Sequence, residues 1–202
     1  MYCRRPARSI LAMTTHAPAT ADRRIFNPVQ QDAVTFLETA AESGGTRTLV
    51  EVELAAGGGN APHRHLGYAE HFDVLEGTLT VQLGDTTLPL GPGERAIAPA
   101  GTSHCFRNES GRPVVFRVEL RPGHTGFERA LRIGYGLAAD GRTNTAGIPK
   151  SLLELAVLVE MSAMRVDGPA RVIMPLMGLL AKLARRRGVE RRLLDRYVPA
   201  HA

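Results

Sequence analysis

Between residues 48 and 120, apolar and polar side chains alternate in short runs. Val50-Glu51-Val52-Glu53-Leu54 and residues 114–120 have the two-residue period of strands with one buried face. Residues 72–75, 79–83, 87–90, 96–98 and 104–107 read as further short strands. Gly57-Gly58-Gly59, Glu76-Gly77, Gly84-Asp85, Gly91-Pro92-Gly93 and residues 108–113 separate them with turn-forming chemistry. Many short strands at a spacing of ~8–12 residues predict a sandwich or barrel rather than a parallel α/β sheet.

After Gly123 the apolar period lengthens to that of helices. Residues 127–133 fit a short helix and residues 150–164 a strong one. Residues 169–187 fit another, opened by Asp167-Gly168-Pro169 and interrupted at Pro175. Leu152, Leu153, Leu155, Ala156, Leu158, Val159 and Met161 make the second of these apolar almost all round, so it must be buried. Residues 1–24 show no sustained period and read as a disordered tail, with Met13 an alternative start. The expected organisation is therefore a tail over 1–24, a barrel over 25–122, and a linker with a C-terminal helical extension over 123–202.

Composition narrows the function. The 202 residues are 44% hydrophobic and 22% charged, enough apolar material for a sizeable core. No apolar run approaches the ~18 residues of a membrane span. Two cysteines, Cys3 and Cys105, supply neither a disulfide framework nor a four-cysteine zinc site, so a reducing compartment, the cytoplasm, is expected. The net charge of +5 invites nucleic acid, but its distribution does not: residues 25–149 hold ten arginines against fourteen acids, and the excess of basic residues sits at the two ends.

The chemistry concentrates between Gly57 and Asn108. Its first half runs Gly57-x5-His63-x-His65-x4-Glu70-x6-Gly77, its second Gly93-x5-Pro99-x-Gly101-x2-His104-x3-Asn108. His63 and His65 are two apart, so on a strand both imidazoles face one side and Arg64 the other. With Glu70 beyond a bend and His104 after the Pro99-Ala100-Gly101 turn, three imidazoles and a carboxylate can converge from the two halves of a barrel. That donor set suits a divalent transition metal (Fe, Mn, Co, Ni, Cu or Zn) better than Ca or Mg, and in octahedral geometry leaves two positions open.

Both halves resemble the two conserved motifs of the cupin superfamily, matched at each defining position. The resemblance covers about residues 45–122 and implies a mainly β fold, a double-stranded β-helix or jelly-roll barrel, with His63, His65, Glu70 and His104 as metal ligands. It further implies a small organic substrate and a dioxygenase-type reaction. A Lewis-acid isomerase, cyclase or lyase, and a non-catalytic small-molecule sensor, stand as alternatives.

Parity turns Phe72 and Val74 inward behind Glu70, and Phe106 behind His104, so these three line the cavity or simply fill the barrel core. His71 and Cys105 have outward parity. Tyr68, between the ligands, is the candidate proton donor or acceptor beside an open metal position, with Glu70 the other catalytic candidate. Gly77, Gly93 and Gly101 suit tight turns, and Asn108 a strand-end cap. Leu176, Leu179, Leu180 and Leu183 lie on one helical face followed by Arg185, Arg186, Arg187, Arg191 and Arg192. Packing within the chain or in a homodimer is the expected use of that face, ahead of a membrane surface or nucleic acid.

Overall fold

A computed structural model describes residues 23–166, 172 and 174–200. Cys3, Met13, the expected tail up to Asp22, and the Asp167-Gly168-Pro169 helix opening lie outside them. Eleven strands and four helices are present among the described residues: β1 (Arg24–Asn27), β2 (Asp32–Glu38), β3 (Thr48–Leu54), β4 (His63–His65), β5 (Ala69–Glu76), β6 (Leu79–Leu83), β7 (Thr86–Leu90), β8 (Arg95–Ala98), β9 (His104–Arg107), β10 (Val114–Arg121), α1 (Thr125–Ala139), α2 (Leu152–Met161), β11 (Met164–Val166), α3 (Met174–Arg186) and α4 (Val189–Tyr197).

The strands form two antiparallel sheets, ordered β1-β2-β3-β10-β5-β8 and β11-β4-β9-β6-β7. This is the mainly β jelly-roll barrel with C-terminal helices that the alternation and motifs imply. Inward residues of both sheets, among them Val50, Val52, Phe72, Val74, Leu79, Val81, Phe116 and Val118, make one apolar core. The pattern holds because side chains alternate across a strand, so one face of each sheet is apolar and the other meets water. At Gly77, φ is +80°, and an added Cβ would lie 2.9 Å from the Pro113 carbonyl oxygen, so the β5–β6 turn requires glycine twice over.

Several elements differ from the sequence expectation. Strands β1 and β2 extend the first sheet beyond β3, and β1 begins at Arg24, one residue before the expected barrel boundary. The second helix stops at Met161 instead of Met164, because Ala163 adopts φ +53° and turns the chain into β11. Pro175 does not interrupt the third helix. It lies in the first turn of α3, where its missing N–H has no partner to lose. Gly188, at φ +67°, separates α3 from α4, a helix too short and too charged to read from its period.

Helix α2 is apolar over most of its circumference because it lies between α1, α3 and α4, although Leu152 at its start is 62% exposed. Val157 packs with Ile133, Leu137, Ala184 and Leu193 on one side, while Ala156 and Val159 pack with Met177 and Ala181 on the other. The leucine stripe of α3 packs only in part, with Leu180 against the cluster of Ala156, Val159, Met177 and Ala181. Met177, Ala181 and Ala184 point inward, because small residues allow close approach to α2, and Leu176 and Leu179 remain 50% and 64% exposed.

Helix α1 docks on the barrel through a buried polar pair. The Tyr135 hydroxyl donates to Asp32 Oδ2, while Asp32 Oδ1 has no hydrogen-bond partner among the described residues. Burial above all, opposed by the Tyr135 hydrogen bond, pushes the Asp32 carboxyl up to about 6. A folded-state value above the unfolded one means that the protonated form favours folding. That contribution is complete below about pH 4 and lost as pH rises through 6. Asp32→Asn is therefore expected to exceed the wild type in stability by ~1–3 kcal/mol at pH 7.5 and to lose the advantage at pH 4. Urea denaturation at the two pH values measures this, and an identical difference at both would refute it.

Candidate metal centre

The three histidines come from one sheet and the glutamate from the other. On β4, alternation turns His63 and His65 inward with Arg64 between them facing out. Strand β9 pairs antiparallel with β4 and sets His104 directly opposite His63. Strand β5, hydrogen-bonded to β10 and β8 in the facing sheet, brings in Glu70. All four side chains are buried, at 8%, 2%, 6% and 3% exposure for His63, His65, Glu70 and His104.

The potential ligand atoms of the three histidines lie within 4.8 Å of one another. Glu70 spans two of them, with Oε1 3.3 Å from His65 Nε2 and Oε2 3.2 Å from His104 Nε2. The opposite ring nitrogens face backbone carbonyls: His63 Nδ1 lies 2.8 Å from Ala61 O and His104 Nδ1 2.9 Å from Thr102 O. A carbonyl oxygen can only accept, so these Nδ1 atoms carry the protons and the Nε2 atoms present lone pairs. Buried lone pairs beside a carboxylate suit a cation placed between them. The cluster thus fits a divalent transition metal held by His63, His65, Glu70 and His104.

The electrostatics agree. Burial pushes His63 down to about 4 against the opposing pull of Glu70, so its imidazole is neutral and available as a donor at neutral pH. For Glu70, burial acts upward, yet the close polar approach of the His104 and His65 rings outweighs it and holds the carboxyl well below its ordinary range, as a cation at the same place would. The carboxylate is ionised.

The remaining candidates fall around this cluster in distinct ways. The Phe72 ring lies 6.3 Å from both His104 and Phe106, and Phe106 lies 5.1 Å from Phe116. Val74 sits further along β5, fully buried and opposite Phe116 on β10. Tyr68 lies behind a candidate ligand rather than before it: its hydroxyl is 2.7 Å from His65 Nδ1 and 3.0 Å from the Ser162 carbonyl. His71 points away from the cluster, as its parity requires, and the Cys105 thiol faces Gln82. Asn108 is fully buried, and its side chain binds the Leu54 and Arg112 carbonyls and Ser110.

Three neighbours are absent from the sequence reading. Phe127 lies edge-on 6.3 Å from His65, the His124 ring lies tilted 4.9 Å from Tyr68, and Ser162 supplies its carbonyl. Each comes from beyond residue 123, and local pattern carries no signal that the extension folds back onto β4. Of the described residues, no helix is long and apolar enough to cross a membrane.

Comparison with known proteins agrees with the motif reading. Residues 50–123 match the family model described as Cupin domain. No curated protein matches the chain. Among solved structures, it is similar to KdgF from Halomonas sp., with 20% identity and a TM-score of 0.41 over 45% of this chain and 80% of that one. It is similar to a sugar phosphate isomerase from Silicibacter pomeroyi, with 23% identity and a TM-score of 0.44 over 50% and 71% of the two chains. It is also similar to the polyketide cyclase RemF from Streptomyces resistomycificus, with 28% identity and a TM-score of 0.41 over 45% and 64%.

Proposed function

From the premise that the barrel of this chain is a cupin domain, we propose that the protein is a metal-dependent enzyme acting on a small organic substrate, with a dioxygenase-type reaction. The observation that carries this reading is the buried ring of Nε2 lone pairs around the Glu70 carboxylate, with Nδ1 of His63 and His104 held by backbone carbonyls. A bound transition metal would supply a Lewis-acidic centre and, when redox-active, a site for dioxygen chemistry.

The protein's own groups have separable tasks. His63, His65 and His104 offer ring nitrogens as ligands. Glu70 lowers the net charge of the site and can hold a proton at a carboxylate oxygen once it is released from an imidazole. Phe72 lies beside His104 and Phe106 beside Phe72, an apolar wall that would exclude water and receive the hydrocarbon part of a substrate whose oxygens point to the cluster. The Tyr68 hydroxyl is committed behind His65, so the apolar wall offers no competing acid on that side. This favours chemistry centred on the metal over proton shuttling by side chains.

Metal analysis of protein purified without an affinity metal, followed by oxygen uptake with a panel of phenolic and diketone compounds, tests the proposal. Expected are a near-stoichiometric metal and oxygen consumption that falls at least ~100-fold in His104→Ala. Less than ~0.2 metal per chain would refute the metal centre. Conversion without oxygen uptake would identify a Lewis-acid isomerase, cyclase or lyase. Tight binding with no conversion would identify a sensor.

A further inference from the structure

The three histidines are held by unlike means. His63 and His104 each rest on the carbonyl two residues earlier in the chain, Ala61 and Thr102, so their orientation is local to β4 and β9. His65 has no such local carbonyl. Its Nδ1 meets the Tyr68 hydroxyl at 2.7 Å and the Ser162 carbonyl, 97 residues away, at 3.3 Å, and Tyr68 itself donates to that carbonyl at 3.0 Å. We propose that Tyr68 and the Ser162 carbonyl act together as the positioning device for His65, so that the C-terminal extension is a working part of the metal site. The inference rests on the metal reading above.

The carbonyl decides the hydrogen-bond pattern. A tyrosine hydroxyl has one proton to give and Ser162 O can only accept. Were Tyr68 to donate to His65 Nδ1, the carbonyl would face two lone pairs at 3.0 and 3.3 Å in a buried site, which is costly. With the Tyr68 proton on Ser162 O, His65 Nδ1–H donates to the Tyr68 oxygen, and every group in the chain is satisfied. His65 then presents its Nε2 lone pair to the centre, as His63 and His104 do. An outer partner of this kind fixes both ring orientation and tautomer of a ligating histidine.

The extension is built to hold that carbonyl in place. Ser162 caps α2 and is buried, with its N–H and its hydroxyl both bonded to Leu158 O, so its carbonyl is the group left for the site. Ala163, at φ +53°, turns the chain, and β11 then pairs with β4, placing Met164 opposite His65 and Val166 opposite His63. A non-glycine residue in that conformation is held there by its surroundings. Phe127 from α1 lies against both rings, at 6.3 Å from His65 and 5.9 Å from Tyr68, and keeps water from the pair.

The test is Tyr68→Phe in the full chain, with zinc as probe. Zinc affinity is expected to fall ~10–100-fold. In zinc-loaded protein with nitrogen-15 in its imidazoles, the His65 Nδ1 proton is expected to exchange with water at least ~10-fold faster, those of His63 and His104 being unchanged. An affinity within about two-fold of wild type with an unchanged His65 proton would overturn the role of Tyr68, as would equal acceleration at all three rings, which signals general loosening. If the variant does not fold, the zinc-loaded wild type decides. A slowly exchanging His65 Nδ1 proton with a nuclear Overhauser contact to the Tyr68 ring supports the device, and its absence refutes it. A wild type that takes up no zinc ends the metal reading, and this inference with it.

Discussion

Replacing His63 with alanine is expected to empty the metal centre while leaving the barrel folded. His63 faces His104 across β4 and β9, with ring centroids 4.6 Å apart, and its imidazole is one of three nitrogens that close the cluster. As the loss of a proposed direct ligand, the change should lower affinity by more than the ~10–100-fold typical of an outer partner. The ring is not among the residues of the main apolar core, so the apo protein should keep its fold. Metal content is expected to fall from near one to below ~0.1 per chain on this substitution. Saturating zinc at ~1,000 times Kd should stabilise the wild type by ~4 kcal/mol, a rise of roughly 10 °C in Tm for a chain of this size, and leave the variant unmoved. Plasma mass spectrometry and thermal scans with and without zinc read both effects. Retained stoichiometric metal in the variant would place the ion elsewhere.

Phe116→Ala is expected to cause the largest loss of stability. Phe116 is fully buried on β10, the strand between β3 and β5, opposite Val52 on one side and Val74 on the other. Its ring meets Phe106 of the facing sheet at 5.1 Å and 66°, an edge-to-face contact that joins the two layers. Truncation leaves a cavity that neither sheet can close, since each is tied by its own hydrogen bonds. The expected cost is ~3–5 kcal/mol, a large fraction of the ~5–15 kcal/mol of an ordinary domain, with Tm lower by ~8–15 °C. Urea denaturation with an unchanged slope is the appropriate measure. A cost below ~1 kcal/mol would mean that water already reaches Phe106 and that the substrate cavity extends to this depth.

Most of the barrel was legible because its signal is local. The runs at residues 48–54, 79–83 and 104–107 coincide with β3, β6 and β9, and the parity that turns Phe72, Val74 and Phe106 inward is what the core shows. The same parity brought His63 and His65 to one face, and the two motifs placed Glu70 and His104 with them. Strand β2 escaped notice because Ala33 is buried beside Val34, which breaks the alternation, and its place is set by pairing with β3. Leu176 and Leu179 of α3 stay exposed for a related reason. A helix pressed against α2 buries its smallest residues, Ala181 and Ala184, and hydrophobicity alone does not rank small against large.

By itself, the sequence determined the strand pattern of residues 72–120 and the direction of side chains on those strands, and it marked His63, His65, Glu70 and His104 as groups expected to share a metal. Alternation and motif spacing act over a few residues and need no knowledge of distant partners. Tertiary structure alone decided that Tyr68 stands behind His65, and that a carbonyl 97 residues further along completes the pair. A backbone carbonyl is common to all residues and has no sequence signature, so only the fold can say which one reaches a histidine.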